Sequence, residues 1–216
     1  MKGEIDQLLG YDCAIRFMNK DRKRKGLRQC NSFHQAGHYR KSRLQVRNMK
    51  LGLQKFSYRF AEQVLNSRLA IKQEIEHILL DPGIDISKLS RPYFNEILRE
   101  AFVAKEWEDQ PTVFDEPTDP SARMDFLKER VGIEVGFGHP SVLGIDLLKF
   151  QVTSYSGMDK IDVGVYIVTT REFQKRMGKE FGKNWKGSLT FEKVVRYLPH
   201  FKSAVQVPIY VIGIDL

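Results

Sequence analysis

Long apolar runs are missing from this 216-residue chain. Nothing in it approaches the roughly 18 consecutive apolar residues that a membrane span requires, so no membrane association is expected. The opening MKGEIDQLLGYDCAIRF lacks the basic-then-apolar order of a secretory signal, and the expected location is the cytoplasm. Cysteine is nearly absent. Two residues, Cys13 and Cys30, cannot build a disulfide framework, and in a reducing compartment they stay thiols unless they bind metal. No internal repeat is evident. What remains, 42% hydrophobic and 29% charged, suits a globular domain large enough for a real core.

Acidic residues are scarce over the first 60 positions, where 15 Lys and Arg stand against 4 Asp and Glu; the net charge of +8 therefore belongs to this quarter, and residues 61–216 carry −3. The stretches NKDRKRKGLRQ and HYRKSRLQVRNMK have the density of a surface that neutralises a polyanion, with Phe33, Gln35 and Tyr39 interspersed. Double-stranded DNA is the expected partner, with Arg22, Lys23, Arg24 and Lys25 as candidate phosphate contacts. A solvated basic arm is the other reading of such a run. Cys13, Cys30, His34 and His38 form C-x16-C-x3-H-x3-H. On a helix the last three share a face and suit zinc, but Gly37 weakens that helix, and buried thiols with phosphate-facing histidines explain the same residues.

Further along, apolar residues at Phe56, Phe60, Val64, Ile71, Ile75 and Ile78 predict one long helix over 56–80, ended by DPG at 81–83. A second helix follows Ser90, with Pro92 in its first turn, and ends near Trp107. The acidic, proline-rich 108–122 reads as a surface loop. RMDFLKER and VGIEVGFG predict adjacent strands, PSVLGIDLLKFQVTSY a helix, and KIDVGVYIVTT a buried strand. REFQKRM and LTFEKVVRYL predict short helices. AVQVPIYVIGIDL predicts a last strand in which Pro208 marks a bulge or an edge. The alternation predicts an α/β fold, a central mixed β-sheet flanked by helices.

In RVGIEVGFGHPS, Val131, Ile133, Val135 and Phe137 share one strand face, while Glu134 lies between Gly132 and Gly136 on the other. Such a carboxylate ligates a metal, pairs with a buried cation or sits on a solvated edge. Asp125 precedes Glu134 by nine positions, short enough for one strand to turn into its neighbour and bring the two acids together. Two carboxylates, a phosphate oxygen and waters make an ordinary Mg2+ site for cutting a phosphodiester; a structural ion-pair network could use the same acids.

These residues also carry a resemblance. MDFLKERVGIEVGFGHPS, DLLKFQV, DKIDVGV and VPIYVIGI, with RPYFNEILREAFVAKEW upstream, resemble the core of the BglII-like and BstYI-like type II restriction endonucleases, within the PD-(D/E)xK nucleases. The resemblance, over roughly residues 70–216, implies a restriction-endonuclease-like fold for a domain of residues 56–216, while the charge makes 1–55 a basic DNA-contacting arm or subdomain. It implies Mg2+-dependent hydrolysis of DNA at a short palindromic site, a homodimer, and a cognate DNA methyltransferase in the same system. By position, Asp125 and Glu134 match the acidic metal ligands, and Val135 the variable residue whose carbonyl faces the metal. His139 falls where base edges are read. Gly136 departs from the motif: Lys, or in this branch often Gln, belongs there. Three explanations stand open. Lys149 or Gln151 on the following helix reaches into the gap; or metal and an ordered water suffice; or the chain is a catalytically silent DNA-binding homologue. The first of these, with Lys149, is the leading expectation, and Gly136→Lys is then expected to restore part of the activity lost in Lys149→Ala.

Overall fold

The structure, a computed structural model, describes residues 49–113, 122–155 and 159–216. A six-stranded mixed sheet organises them in the order β1-β6-β5-β4-β3-β2. Its strands are β1 (Gly52–Tyr58), β2 (Glu108–Asp109), β3 (Phe126–Lys128), β4 (Val131–Val135), β5 (Val163–Thr169) and β6 (Ile209–Asp215). β4, β5 and β6 run parallel; β1, β3 and β2 pair antiparallel with their neighbours. β5 is buried at every residue, which is why VGVYIVT reads as a continuous apolar run rather than an alternation.

Helices cover both faces. α1 (Ala61–Asn66), α2 (Leu69–Leu79), α3 (Arg91–Val103) and α5 (Arg171–Phe181) pack on one side; α4 (Leu143–Tyr155) and α6 (Phe191–Tyr197) pack on the other. Alternation divides β4 as expected: Val131, Ile133 and Phe137 enter the first core with α3 residues Phe94, Leu98 and Phe102. Phe137 stacks on Phe94 at 5.1 Å and meets Trp185 edge-on at 5.4 Å. The Trp185 indole N–H is satisfied by the Leu89 carbonyl at 3.0 Å, so the whole cluster is buried without an orphan donor. The end of β4, where the acids lie, is thereby anchored.

Three expectations are corrected. The segment 56–80 is not one helix. Phe56–Tyr58 belong to β1, which pairs with β6 over seven positions; Arg59 and Phe60 take left-handed φ of 51° and 61°; and the helical remainder breaks at Ser67 and Arg68. Pairing with a distant strand outweighs the local period. Pro208 marks neither an edge nor a bulge: it precedes β6, which lies between β1 and β5, and its carbonyl accepts from the Gly164 N–H at 2.9 Å. Within the expected loop 108–122, Glu108 and Asp109 form the edge strand β2. The helix after Ser90 forms with Pro92 in its first turn and Ser90 capping the Tyr93 N–H, ending at Val103.

Candidate active site

β3 and β4 are joined by a two-residue hairpin in which Glu129 and Arg130 both adopt left-handed φ, 46° and 63°. Such a turn matches the twist of tightly paired strands but favours Asn or Gly. Here it is held from outside: Arg130 donates to Asp162 Oδ1 and Asp159 Oδ1, each at 2.7 Å. The pairing of Phe126 with Ile133 brings Asp125, the residue just ahead of β3, to the end of β4 beside Glu134, whose side chain lies on the face opposite the Phe94 cluster. Asp125 Oδ2 accepts the Val135 N–H at 2.6 Å. The sequence thus brings its two candidate acids together through one short turn.

Glu134 is only 3% exposed. Its Oε2 accepts from Lys149 Nζ at 2.8 Å, while Oε1 has no hydrogen-bond partner. Lys149 comes from the second turn of α4; its ammonium donates to Glu134 and to the Arg123 carbonyl at 3.0 Å, and Asp146 Oδ1 lies in ion-pair contact at 3.4 Å. Gln151 is engaged elsewhere, accepting from the Gln206 and Val207 N–H groups. Of the two side chains expected to approach Glu134, Lys149 does and Gln151 does not.

The expected gap at Gly136 is filled. Tyr166, in register with Glu134 on β5, lies over it, and a Cβ at position 136 would sit 2.8 Å from Tyr166 Oη and 2.9 Å from Cε2 and Cζ. Glycine is required there by close approach. The proposed rescue by Gly136→Lys is corrected for this reason: a lysine stem has no room to leave the strand. Gly132 is likewise covered, by Met124 and Ile161.

The electrostatics follow from three buried or half-buried carboxylates, Asp125, Glu134 and Asp146, around one ammonium. Burial, then Asp125, pushes the Glu134 carboxyl up to about 9. Burial also raises Asp125, against the opposing Val135 N–H and Lys149. Burial disfavours charge on Lys149, but Glu134 and Asp146 outweigh it and hold the ammonium above its ordinary range. With all three carboxylates ionised the set would carry two negative charges in excess, which is the repulsion that raises Glu134 and Asp125. With the unpartnered Oε1, this donor chemistry fits a hard divalent cation: Asp125, Glu134 and the Val135 carbonyl would hold it, that carbonyl keeping a lone pair beyond the one taken by the Phe137 N–H at 3.1 Å. Among the described residues no three Cys, His, Asp or Glu side chains form a ready-made metal cluster. Beside Asp125 and Val135 lies a cleft of about 160 Å³, lined also by Asn95, Arg99 and Gln110.

His139 lies apart from this group, exposed just beyond β4, where its Nδ1 accepts the Ser141 N–H at 3.3 Å and caps a 3-10 turn. Arg22, Lys23, Arg24 and Lys25, and the zinc candidates Cys13, Cys30, His34 and His38, lie outside the described residues. Asp146 and Tyr166 were not legible as site residues. The signals that could have found them are an acid three residues before Lys149 on the predicted helix and a lone phenol within an otherwise aliphatic buried strand.

A hairpin-borne acid pair, with a lysine brought in from the following helix, on a mixed sheet covered by helices is the setting in which the comparisons with known proteins fall. The family model for restriction endonuclease BglII/BglIII matches residues 53–214, and the chain belongs to that family of restriction endonucleases. Among solved structures it is similar to restriction endonuclease BglII complexed with a DNA 16-mer, with a TM-score of 0.62 and 20% identity over 76% of this chain and 77% of that one. It is also similar to free BglII, with a TM-score of 0.50 and 22% identity over 75% and 78%. These likenesses show the fold. No curated protein matches the chain.

Proposed function

We propose that the protein is a type II restriction endonuclease that binds a short palindromic site in double-stranded DNA as a homodimer and hydrolyses one phosphodiester per strand with Mg2+. The observation that carries this reading is the cross-strand acid pair Asp125 and Glu134 with the Lys149 ammonium 2.8 Å from Glu134. When bound, Mg2+ polarises the phosphoryl group and lowers the pKa of an attacking water. Asp125, Glu134 and the Val135 carbonyl would hold that ion. Lys149 fixes Glu134 through Oε2, leaving Oε1 for the ion, and its charge opposes the negative charge that grows on the phosphate as water attacks. Water oxygen joins phosphorus and gives up one proton, the bond to the leaving oxygen breaks, and that oxygen takes up a proton. Lys149 does from α4 what Gly136 cannot do from β4.

A palindromic site has two-fold symmetry, which a homodimer matches. The basic residues ahead of β1, which takes in 52–55 as part of the sheet, serve as an arm on the phosphates through Arg22, Lys23, Arg24 and Lys25, and His139 reads a base edge. This reading expects a cognate DNA methyltransferase in the same system and action in the cytoplasm. The deciding experiment is digestion of DNA of known sequence with and without Mg2+, with the ends mapped. Discrete fragments sharing one terminal sequence, and none in EDTA, are expected. Specific binding without cleavage in Mg2+ or Mn2+ would establish a silent DNA-binding homologue instead.

A further inference from the structure

Behind Lys149 stands a buried polar chain that packing alone does not require. Tyr166 is fully buried, and its ring covers Gly136. A phenylalanine would cover that glycine equally well. Yet the ring carries a hydroxyl, and a hydroxyl in an apolar interior is costly unless it is paired. Its partner is another buried group: Tyr166 Oη donates to Asp146 Oδ2 at 2.7 Å, and Asp146 is 7% exposed. The other Asp146 oxygen, Oδ1, faces Lys149 Nζ at 3.4 Å from one turn away on α4. Each carboxylate oxygen thus has its own partner, so the hydroxyl sets the rotation of the carboxylate and the carboxylate faces the ammonium.

We propose that Tyr166 and Asp146 are positioning residues: Tyr166 occupies the space left by Gly136, orients Asp146 by its hydroxyl, and Asp146 holds the Lys149 ammonium on Glu134. A lysine stem has four rotatable bonds and gives up much rotamer freedom when it is fixed in one place. Glu134 alone leaves the ammonium free to pivot about one contact; Asp146 and the Arg123 carbonyl close the other two directions. Departure from the motif at 136 and the phenol at 166 become one arrangement, in which a lysine absent from the strand is supplied and braced from the helix. What Lys149 does in cleavage rests on the nuclease reading; how it is held does not.

The test reads the ammonium directly. In metal-free protein labelled with 15N, a half-buried ammonium held by two hydrogen bonds and the Asp146 ion pair exchanges slowly and gives a resolved side-chain resonance, assigned by its loss in Lys149→Arg. Tyr166→Phe keeps the ring over Gly136, so the backbone spectrum away from the site should persist while the Lys149 resonance broadens or disappears. Asp146→Asn should do the same. A resonance unchanged in Tyr166→Phe overturns the proposal, as does a wild-type ammonium that exchanges too fast to observe. Cleavage supplies the second arm: Tyr166→Phe should lower kcat about 10-fold with DNA affinity unchanged, and should have no further effect in a Lys149→Ala background. Equal losses in both backgrounds overturn the proposal. If the wild type does not cut DNA, the nuclease reading fails, and the resonance alone decides the positioning pair.

Discussion

Adding a methyl group at Gly136 drives it into a ring that cannot step aside. The new Cβ would lie 2.8 Å from Tyr166 Oη and 2.9 Å from Cε2 and Cζ, whereas carbon contacts ordinarily settle at about 3.5–4.0 Å. β5 is buried along its length, the hydroxyl is bound to Asp146, and Phe150 packs edge-on against the ring at 6.2 Å. Overpacking of this kind costs about 1–3 kcal/mol, offset by roughly 0.5–1 kcal/mol because alanine has less freedom than glycine to lose on folding. From the middle of each range a net loss of about 1 kcal/mol remains, which for a domain of this size lowers Tm by about 2–4 °C. Thermal unfolding of Gly136→Ala in EDTA, followed by circular dichroism, measures it. Gly136→Gln, which reinstates the side chain common in this branch, should lose more. In a Tyr166→Val background, where the ring is gone, Gly136→Ala should cost nothing or stabilise. An unchanged or raised Tm for Gly136→Ala in the otherwise wild-type chain would refute the reasoning.

On the proposed reading Asp125→Asn or Glu134→Ala should abolish cleavage while leaving DNA binding intact or tighter in gel-shift titrations, because each would remove a cation ligand and an acid beside the phosphate; undiminished cutting by either would move the site elsewhere. Lys149→Ala should lose most cleavage in single-turnover assays while retaining DNA affinity, and near-neutral behaviour would assign its work to water. Glu134, pushed up to about 9 from 4.5, gives stability that is complete below about 4.5 and is lost as pH rises through about 9. Asp125, also raised, has the same sign. Tm in EDTA should therefore be lower at pH 9 than at pH 6, with Mg2+ reducing the difference; a rise over that window would contradict the assignment. Neutralising Arg22, Lys23, Arg24 and Lys25 together should flatten the slope of log affinity against log salt by up to about four units, and an unchanged slope would remove this run from the DNA contacts.

The acid pair was legible because everything that makes it is local: two alternating segments, a short turn and an acid at matching distance on each side. The mixed sheet was legible for a similar reason, since β5 and β6 are apolar runs separated by amphipathic helices. Lys149 could be singled out because it is the lone cation in PSVLGIDLLKFQVTSY. Long-range pairing hid the rest. β1 takes its strand conformation from β6, about 150 residues away, so Phe56 and Phe60 mimic helical spacing without sharing a helix. Tyr166 meets Gly136 only through the register of β4 on β5, and no local pattern records that register. Asp146, an acid in a helix's first turn, has the ordinary look of a residue favoured by the helix dipole, although it points inward.

The same parallel register ties two distant positions into a single inherited character. A long side chain at 136 and a ring at 166 cannot share the volume between β4 and β5, whereas glycine opposite a small residue leaves a void. Family members with Gln or Lys two places after the metal-binding Glu should therefore carry a small residue where this chain has Tyr166, and those with Gly should carry a large one. The passage between the two states runs through the void. A cavity leaves both strands in register, at a cost of a few kcal/mol that a stable domain can survive, while the doubly filled intermediate must push the strands apart. Covariation of these two positions, separated by 30 residues in sequence, is the trace such a history leaves.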